Sequence, residues 1–238
     1  MTKTRLIITI VYIALVLLLS SPETIHAWQW DNKCQTLEQV SVGVFSGEPA
    51  LVPTTMSIHT AGDCKVYSNL QLFLHQCQSN SNTEPWESPE DWRVTEVIEA
   101  DLNRDGTMEY ALLVWRPFAP WPIDKFLPHG GRITEFHNKA GLSAHLILVG
   151  WDGDEYRELW AGSALANPIS AIGAYDIDGD GYEELIALEG DYDAIEKTGN
   201  ITIWRWQGFG FTLLERMEGS YSDYAVYLTD QGTLILTD

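Results

Sequence analysis

The chain has 238 residues, 45% of them hydrophobic, and a formal net charge of −20 at pH 7. An excess of 34 Asp and Glu over 14 Lys and Arg excludes a binder of nucleic-acid backbones, which needs clustered basic side chains. The three cysteines, Cys34, Cys64 and Cys77, come without the C-x-x-C or Cys/His spacing of a zinc site.

Lys3 and Arg5 precede an apolar stretch from Leu6 to Leu19, followed by Ser20, Ser21, Pro22 and the small residue Ala27. This layout predicts a signal peptide over residues 1–27 with cleavage near Ala27. The stretch is short of the ~20 residues that cross a bilayer, so a retained anchor, the one route to a membrane here, is the alternative. Cleavage removes Lys3, Arg5 and Glu23 and takes the net charge from −20 to −21. The expected location is exported: secreted, periplasmic or at the cell surface. An oxidising compartment allows one cysteine pair to bridge. Of the three pairings, Cys64 with Cys77 is preferred because it brackets the strand-like segment 65–76; one thiol is left over.

Residues 28–78 form an N-terminal β region with strand-like pieces at Val40–Phe45 and Leu70–His75. Residues 79–90, rich in Ser, Asn and Pro, read as a linker. Residues 91–238 carry an internal repeat. Asp101, Asn103, Asp105 and Glu109 stand at positions 1, 3, 5 and 9 of one loop, and Asp176, Asp178, Asp180 and Glu184 stand in the same frame 75 residues on. Oxygen at alternate positions of a tight turn wraps a hard cation of calcium's size, and Gly106 or Gly181 at position 6 permits the bend. The Thr107 and Tyr182 carbonyls would supply a backbone ligand at position 7. The plainer reading of each loop is a solvated hairpin end; two in register favour a metal. By carboxylate count, four against three, loop two is expected to bind more tightly.

Short apolar runs flank both loops and predict buried strands, so these are not EF-hands, whose loops lie between helices. The run from His145 to Tyr156 also resembles that from Ile201 to Phe211, each a hairpin closed by a Gly-containing turn. Each half therefore reads as strand, acidic loop, strand, connection, hairpin.

These residues resemble the FG-GAP and VCBS repeats of integrin-like β-propellers, over about residues 91 to 238. The resemblance implies an all-β fold of propeller-like, antiparallel four-stranded blades, at least two of them clear, in an incomplete or irregular propeller. Residues 28–78 would then be an irregular blade or a cap. It also implies Ca2+ held by Asp101, Asn103, Asp105, the Thr107 carbonyl and Glu109 in one blade, and by Asp176, Asp178, Asp180, the Tyr182 carbonyl and Glu184 in the next. Asn103 stands where the family has a carboxylate, and both ninth positions are Glu where Asp is common.

The repeats differ most over 116–144, an insertion containing Phe118, Trp121, Phe126 and Phe136. Such a loop can carry a ligand surface, but packed aromatics plugging the sheet stack explain it better. Core packing likewise explains Trp115, Trp151, Trp204 and Trp206 better than a sugar-binding surface does. No H-E-x-x-H, G-x-S-x-G or phosphate-binding Gly loop is present, Ser163 lacks a nucleophile elbow, and His129, Glu135 and His137 match no ligand spacing. The expected function is an exported calcium-binding β-repeat protein that binds a protein or glycan or acts as a scaffold, with calcium structural. The competing expectation is a secreted hydrolase with its site near the insertion. Asn200 begins a glycosylation sequon.

Overall fold

A computed structural model describes residues 26–40, 48–49, 63–68, 71–76, 86–119, 135–193, 198–229 and 232–237. The expected signal segment up to residue 25, Cys77 and the middle of the insertion, with Trp121, Phe126 and His129, lie outside these residues, and so does the side chain of Cys64.

The described residues contain strands and turns and no helix. The strands in chain order are β1 (His26–Asp31), β2 (Thr36–Val40), β3 (Glu48–Pro49), β4 (Asp63–Ser68), β5 (Gln71–Gln76), β6 (Trp86–Glu87), β7 (Arg93–Ala100) and β8 (Glu109–Pro117). There follow β9 (Leu142–Trp151), β10 (Tyr156–Ala161), β11 (Ile169–Tyr175), β12 (Glu184–Glu189), β13 (Gly199–Trp206), β14 (Phe211–Tyr221), β15 (Tyr224–Thr229) and β16 (Gly232–Thr237). Two four-stranded antiparallel meanders, β7-β8-β9-β10 and β11-β12-β13-β14, realise the two repeats. The hairpins read from the sequence close at Trp151 opposite Tyr156 and at Trp206 opposite Phe211.

The repeat extends to a defect in the sheets. The β7–β8 ladder slips between Val94 and Glu96, and the β11–β12 ladder slips between Ile169 and Ala171, the same positions 75 residues on. The bulged residues are Thr95 and Ser170, and their hydroxyls donate to the carbonyls of Leu113 and Leu188. A hydroxyl bonded across the ladder at the slip helps to hold such a bulge.

The remaining strands form a five-stranded sheet, β2-β1-β16-β15-β3, and a three-stranded sheet, β4-β5-β6. The segment expected as one N-terminal β region thus divides: β1, β2 and β3 join the C-terminal hairpin, while β4 and β5 pair with each other. Trp86 and Glu87, at the end of the expected linker, make β6, and Ser88 is buried with its hydroxyl accepting from the Leu72 amide. The processing point expected near Ala27 falls inside β1, where Ala27 is buried opposite Leu236.

Alternation along the second strand of each meander explains how the sheets stack. Tyr110, Leu112 and Val114 of β8 pack with Leu72 and Leu74 of β5, whereas Ala111 and Leu113 pack with Ile169, Ile172, Leu185 and Ala187 of the next meander. In β12, Leu185 and Ala187 face back toward the first meander, and Ile186 and Leu188 face Trp30, Val226 and Ile235 of the five-stranded sheet. A strand buried on both faces reads as a continuous apolar run, which is what both sequences show. The sheets therefore follow one another face to face in the order β4–β6, β7–β10, β11–β14 and the five-stranded sheet.

A polar contact away from the loops links the two meanders. Glu96 of β7 accepts a hydrogen bond from the Ile172 amide of β11 at 2.9 Å. Burial, with Asp223 nearby, pushes its carboxyl up to about 7. Because the folded value lies above the ordinary 4.5, the native state holds the proton more tightly, and this contribution is full below pH 4.5 and lost as pH rises through 7. Glu96→Gln should therefore remove a loss of roughly 1–3 kcal/mol between pH 4.5 and 8. Urea unfolding of both proteins across that range in chelator checks this; parallel curves would refute it.

Candidate functional site

Loop one, residues 101–109, joins β7 to β8, and loop two, residues 176–184, joins β11 to β12. Their side chains organise the backbone first. In loop one the Asp101 carboxylate accepts the amides of Asp105 (3.0 Å) and Gly106 (2.9 Å), Asn103 Oδ1 accepts that of Asp105 (2.8 Å), and Asp105 Oδ1 accepts that of Thr107 (2.8 Å). In loop two Asp176 accepts the amides of Gly179 (2.7 Å) and Gly181 (3.0 Å), Asp178 that of Asp180 (3.1 Å), and Asp180 that of Tyr182 (2.9 Å). Asn103, Asp105, Asp178 and Asp180 thus each hold the amide two residues on, the local preference of Asp and Asn in turns, while Asp101 and Asp176 reach three to five residues on.

Position 6 is left-handed in both loops, with φ of 87° at Gly106 and 88° at Gly181. Position 4 is left-handed too, at Arg104 (64°) and Gly179 (77°), a requirement the spacing of acids did not reveal. Position 2 anchors the loop: Leu102 and Ile177 are buried in the apolar clusters on either side of the second meander.

The folded loops bring the acids together in two groups. Ligand oxygens of Asp101, Asp105 and Glu109 lie within 4.8 Å of one another, and so do those of Asp176, Asp178 and Glu184. Asn103 joins the first group by donating to Asp105 Oδ2 at 3.0 Å. Asp180 turns away from the second group toward Arg104, 3.3 Å away. Thr107 and Tyr182 enter the loops through their amides, and the Tyr182 ring lies under the Arg104 guanidinium, 5.0 Å from its centroid.

Glu109 and Glu184 begin β8 and β12 and are 1% and 0% exposed. Each ties its loop to the strand, Glu109 Oε2 through the Asn103 amide at 3.5 Å and Glu184 Oε2 through the Ile177 amide at 3.1 Å. Their other oxygens differ. Glu184 Oε1 accepts from Arg104 Nη2 (2.5 Å) and Arg205 Nε (3.1 Å), and Arg205 also pairs with Asp178. Glu109 Oε1 is buried with no hydrogen-bond partner among the described residues. Burial pushes the Glu109 carboxyl up to about 7, and the neighbouring charges of Asp105 and Asp101 add to the rise. A buried acceptor with no donor, beside two further carboxylates, is the environment a divalent cation relieves. The first group could hold a hard cation; in the second, guanidinium groups already pair with Asp178 and Glu184.

Loop two also supports loop one. Glu183 Oε2 accepts the Asp101 amide at 3.1 Å, and its carboxyl is raised by burial and by the charges of Asp101 and Asp176. Loop two in turn rests on the five-stranded sheet, where Thr233 Oγ1 and Asn32 Nδ2 donate to the carbonyls of Asp176 (2.7 Å) and Asp178 (2.9 Å). Glu183, Arg104 and Arg205 were not foreseen from sequence; the only signal for Arg104 was its place between two predicted ligands.

Other candidates resolve differently. His137 Nδ1 contacts the carbonyl of Asn138 at 2.9 Å and its ring packs on Phe118, while Glu135 is exposed. Trp115 packs edge-on against Tyr192, Trp151 against Tyr156, and Trp206 against Trp160 and Phe211. Ser143 Oγ lies 2.8 Å from His145 Nε2, a pairing sequence reasoning missed. Both residues are buried within β9, and burial holds the imidazole down to about 4, so the pair sits in the sheet as a neutral contact that solvent does not reach. Cys34 is exposed and free in the turn between β1 and β2, near Asp31 and Glu38. Asn200 Oδ1 accepts the Gly219 amide at 3.0 Å. No protein-family model and no curated protein sequence matches this chain.

At Gly106 and Gly181 an added Cβ would meet no atom within 4 Å, so substitution there tests the backbone alone. Gly106→Ala and Gly181→Ala should each cost about 1–2 kcal/mol, read by chemical denaturation; a cost near zero would show that the loops do not need the left-handed turn.

Proposed function

We propose that this chain is an exported, calcium-stabilised β-repeat protein of the FG-GAP/VCBS type, its stacked sheets acting as blades of a propeller-like body that binds a protein or glycan partner or serves as a scaffold. The observation that carries the reading is the buried, unpartnered Glu109 Oε1 in the corner formed with Asp101 and Asp105. The group is made of oxygen ligands alone, which favours a hard cation over zinc or copper. Asp101, Asp105 and Glu109 would hold the ion, with Asn103 and the Thr107 carbonyl completing its shell. Calcium would supply positive charge where three carboxylates converge, and so fix the junction of β7 with β8.

The repeated meanders support the architectural part of the reading. Successive four-stranded sheets packed face to face are how propeller blades meet, and the sheet shared by β1 and β16 ties the two ends of the described chain together. The charged N-terminal Lys3 and Arg5, the apolar stretch after them and the large negative charge support export, since extracellular calcium is concentrated enough to fill modest sites. The loops are hydrogen-bonded within themselves and to their neighbours, which suits a structural ion better than a catalytic one.

At free calcium one hundred times the dissociation constant, a single site that binds only the folded state adds about 2.7 kcal/mol. For a protein of this size that raises the melting temperature by roughly 5–10 °C. Differential scanning calorimetry in calcium and in chelator should show this rise, and Glu109→Gln should abolish it. Equal melting temperatures of the wild type in the two buffers would refute the proposal.

A further inference from the structure

We infer that Arg104 and Arg205 are the resident counter-ions of loop two, so that loop one takes calcium and loop two does not. This inference rests on the calcium reading of loop one and reverses the order of affinity that carboxylate count predicts.

The two guanidinium groups engage three of the four acids expected as ligands in loop two. Arg104 reaches across from loop one, Nη1 to Asp180 Oδ2 at 3.3 Å and Nη2 to Glu184 Oε1 at 2.5 Å. Arg205, from β13, bonds Glu184 Oε1 at 3.1 Å and pairs with Asp178. Of these four, Asp176 is the one with no Lys or Arg partner among the described residues, and its oxygens accept the Gly179 and Gly181 amides. A calcium ion entering this corner would need the Asp178 and Glu184 oxygens that the arginines hold, and would sit beside two positive charges. Both effects lower its affinity, the first by competition for lone pairs and the second by repulsion in a partly desolvated setting.

The repeat shows why loop one is different. In the register of the two meanders Tyr110 pairs with Val149 as Leu185 pairs with Trp204, so the counterpart of Arg205 is Gly150. Where β13 presents a guanidinium to Glu184, β9 has a glycine at the equivalent position, and a Cβ at Gly150 would already lie 3.3 Å from Glu109 Cγ. The counterpart of Arg104 is Gly179. Both residues that neutralise loop two are thus glycines at the equivalent places. Among the described residues no Lys or Arg pairs with Asp101, Asp105 or Glu109, and Glu109 Oε1 is left without a partner. One corner is closed by the chain's own cations, and the other, among the described residues, is left open.

The test is isothermal calorimetry with calcium chloride on the full chain after chelator stripping. The wild type should bind one calcium, Glu109→Gln none, and Asp178→Asn still one. The double variant Arg104→Gln/Arg205→Gln should bind two. A wild-type stoichiometry of two, a loss of binding in Asp178→Asn with retention in Glu109→Gln, or a folded double variant that stays at one would each overturn the inference while leaving calcium binding intact. Should the double variant not fold, the contrast between Glu109→Gln and Asp178→Asn decides alone. No calcium binding by the wild type would instead overturn both the inference and the functional proposal.

Discussion

The structure depends on a carboxylate placed where water cannot reach it, at the first residue of the second strand in each repeat. Glu109 and Glu184 use one oxygen to accept a loop amide, which joins the turn to the sheet. The remaining oxygen must find positive charge or hold a proton, because an ionised carboxylate in a desolvated site without a partner is among the costliest arrangements a fold can hold. Much of what distinguishes the two halves follows from how that need is met. In the second repeat, guanidinium groups from β13 and from the neighbouring loop meet at Glu184. In the first, the same strand position is a glycine and the oxygen is left open.

Burial on both faces explains the rest of the architecture. Strands β8 and β12 are apolar along their whole central length, so neither can lie at the surface of a single sheet. Each becomes the middle of a sandwich, its odd and even residues serving different neighbours. A fully buried Leu or Ile contributes about 1.5–3 kcal/mol relative to exposure. The stacking is therefore driven by the same residues that make these strands hard to mistake in the sequence. Glu96 and the bulges at Thr95 and Ser170 trim the sheets where they meet.

The strands and loops of the repeats were legible because each rests on short-range pattern: alternate oxygens, a glycine at the bend, apolar runs on either side. The four-stranded meanders and their closing hairpins follow directly from those signals. Less legible was anything set by contacts between sheets. Nothing local marks β1 as a partner of β16, or Trp86 as a strand residue within a stretch rich in Ser, Asn and Pro. Counting acids also leaves out their cations, since Arg205 lies 27 residues from the Asp178 it pairs with and Arg104 acts on a loop other than its own. Charge neutralisation is a property of three-dimensional neighbours, whereas turn formation is a property of sequence neighbours.

The pairing of β1 with β16 has a consequence for how the protein comes into being. Trp28 and Thr237, joined by an indole-to-hydroxyl hydrogen bond, are 209 positions apart. A ribosome releases the first of them long before the second exists, and until then β1 and β2 present a bare hydrogen-bonding rim to whatever is nearby. The two meanders, made of sequence-adjacent hairpins, can organise during that interval; the five-stranded sheet cannot. Such long-range closure slows folding and lengthens the time in which an open edge can capture the wrong strand. The last step of assembly is thus a race between intramolecular clasping and intermolecular mispairing, run anew by every copy synthesised.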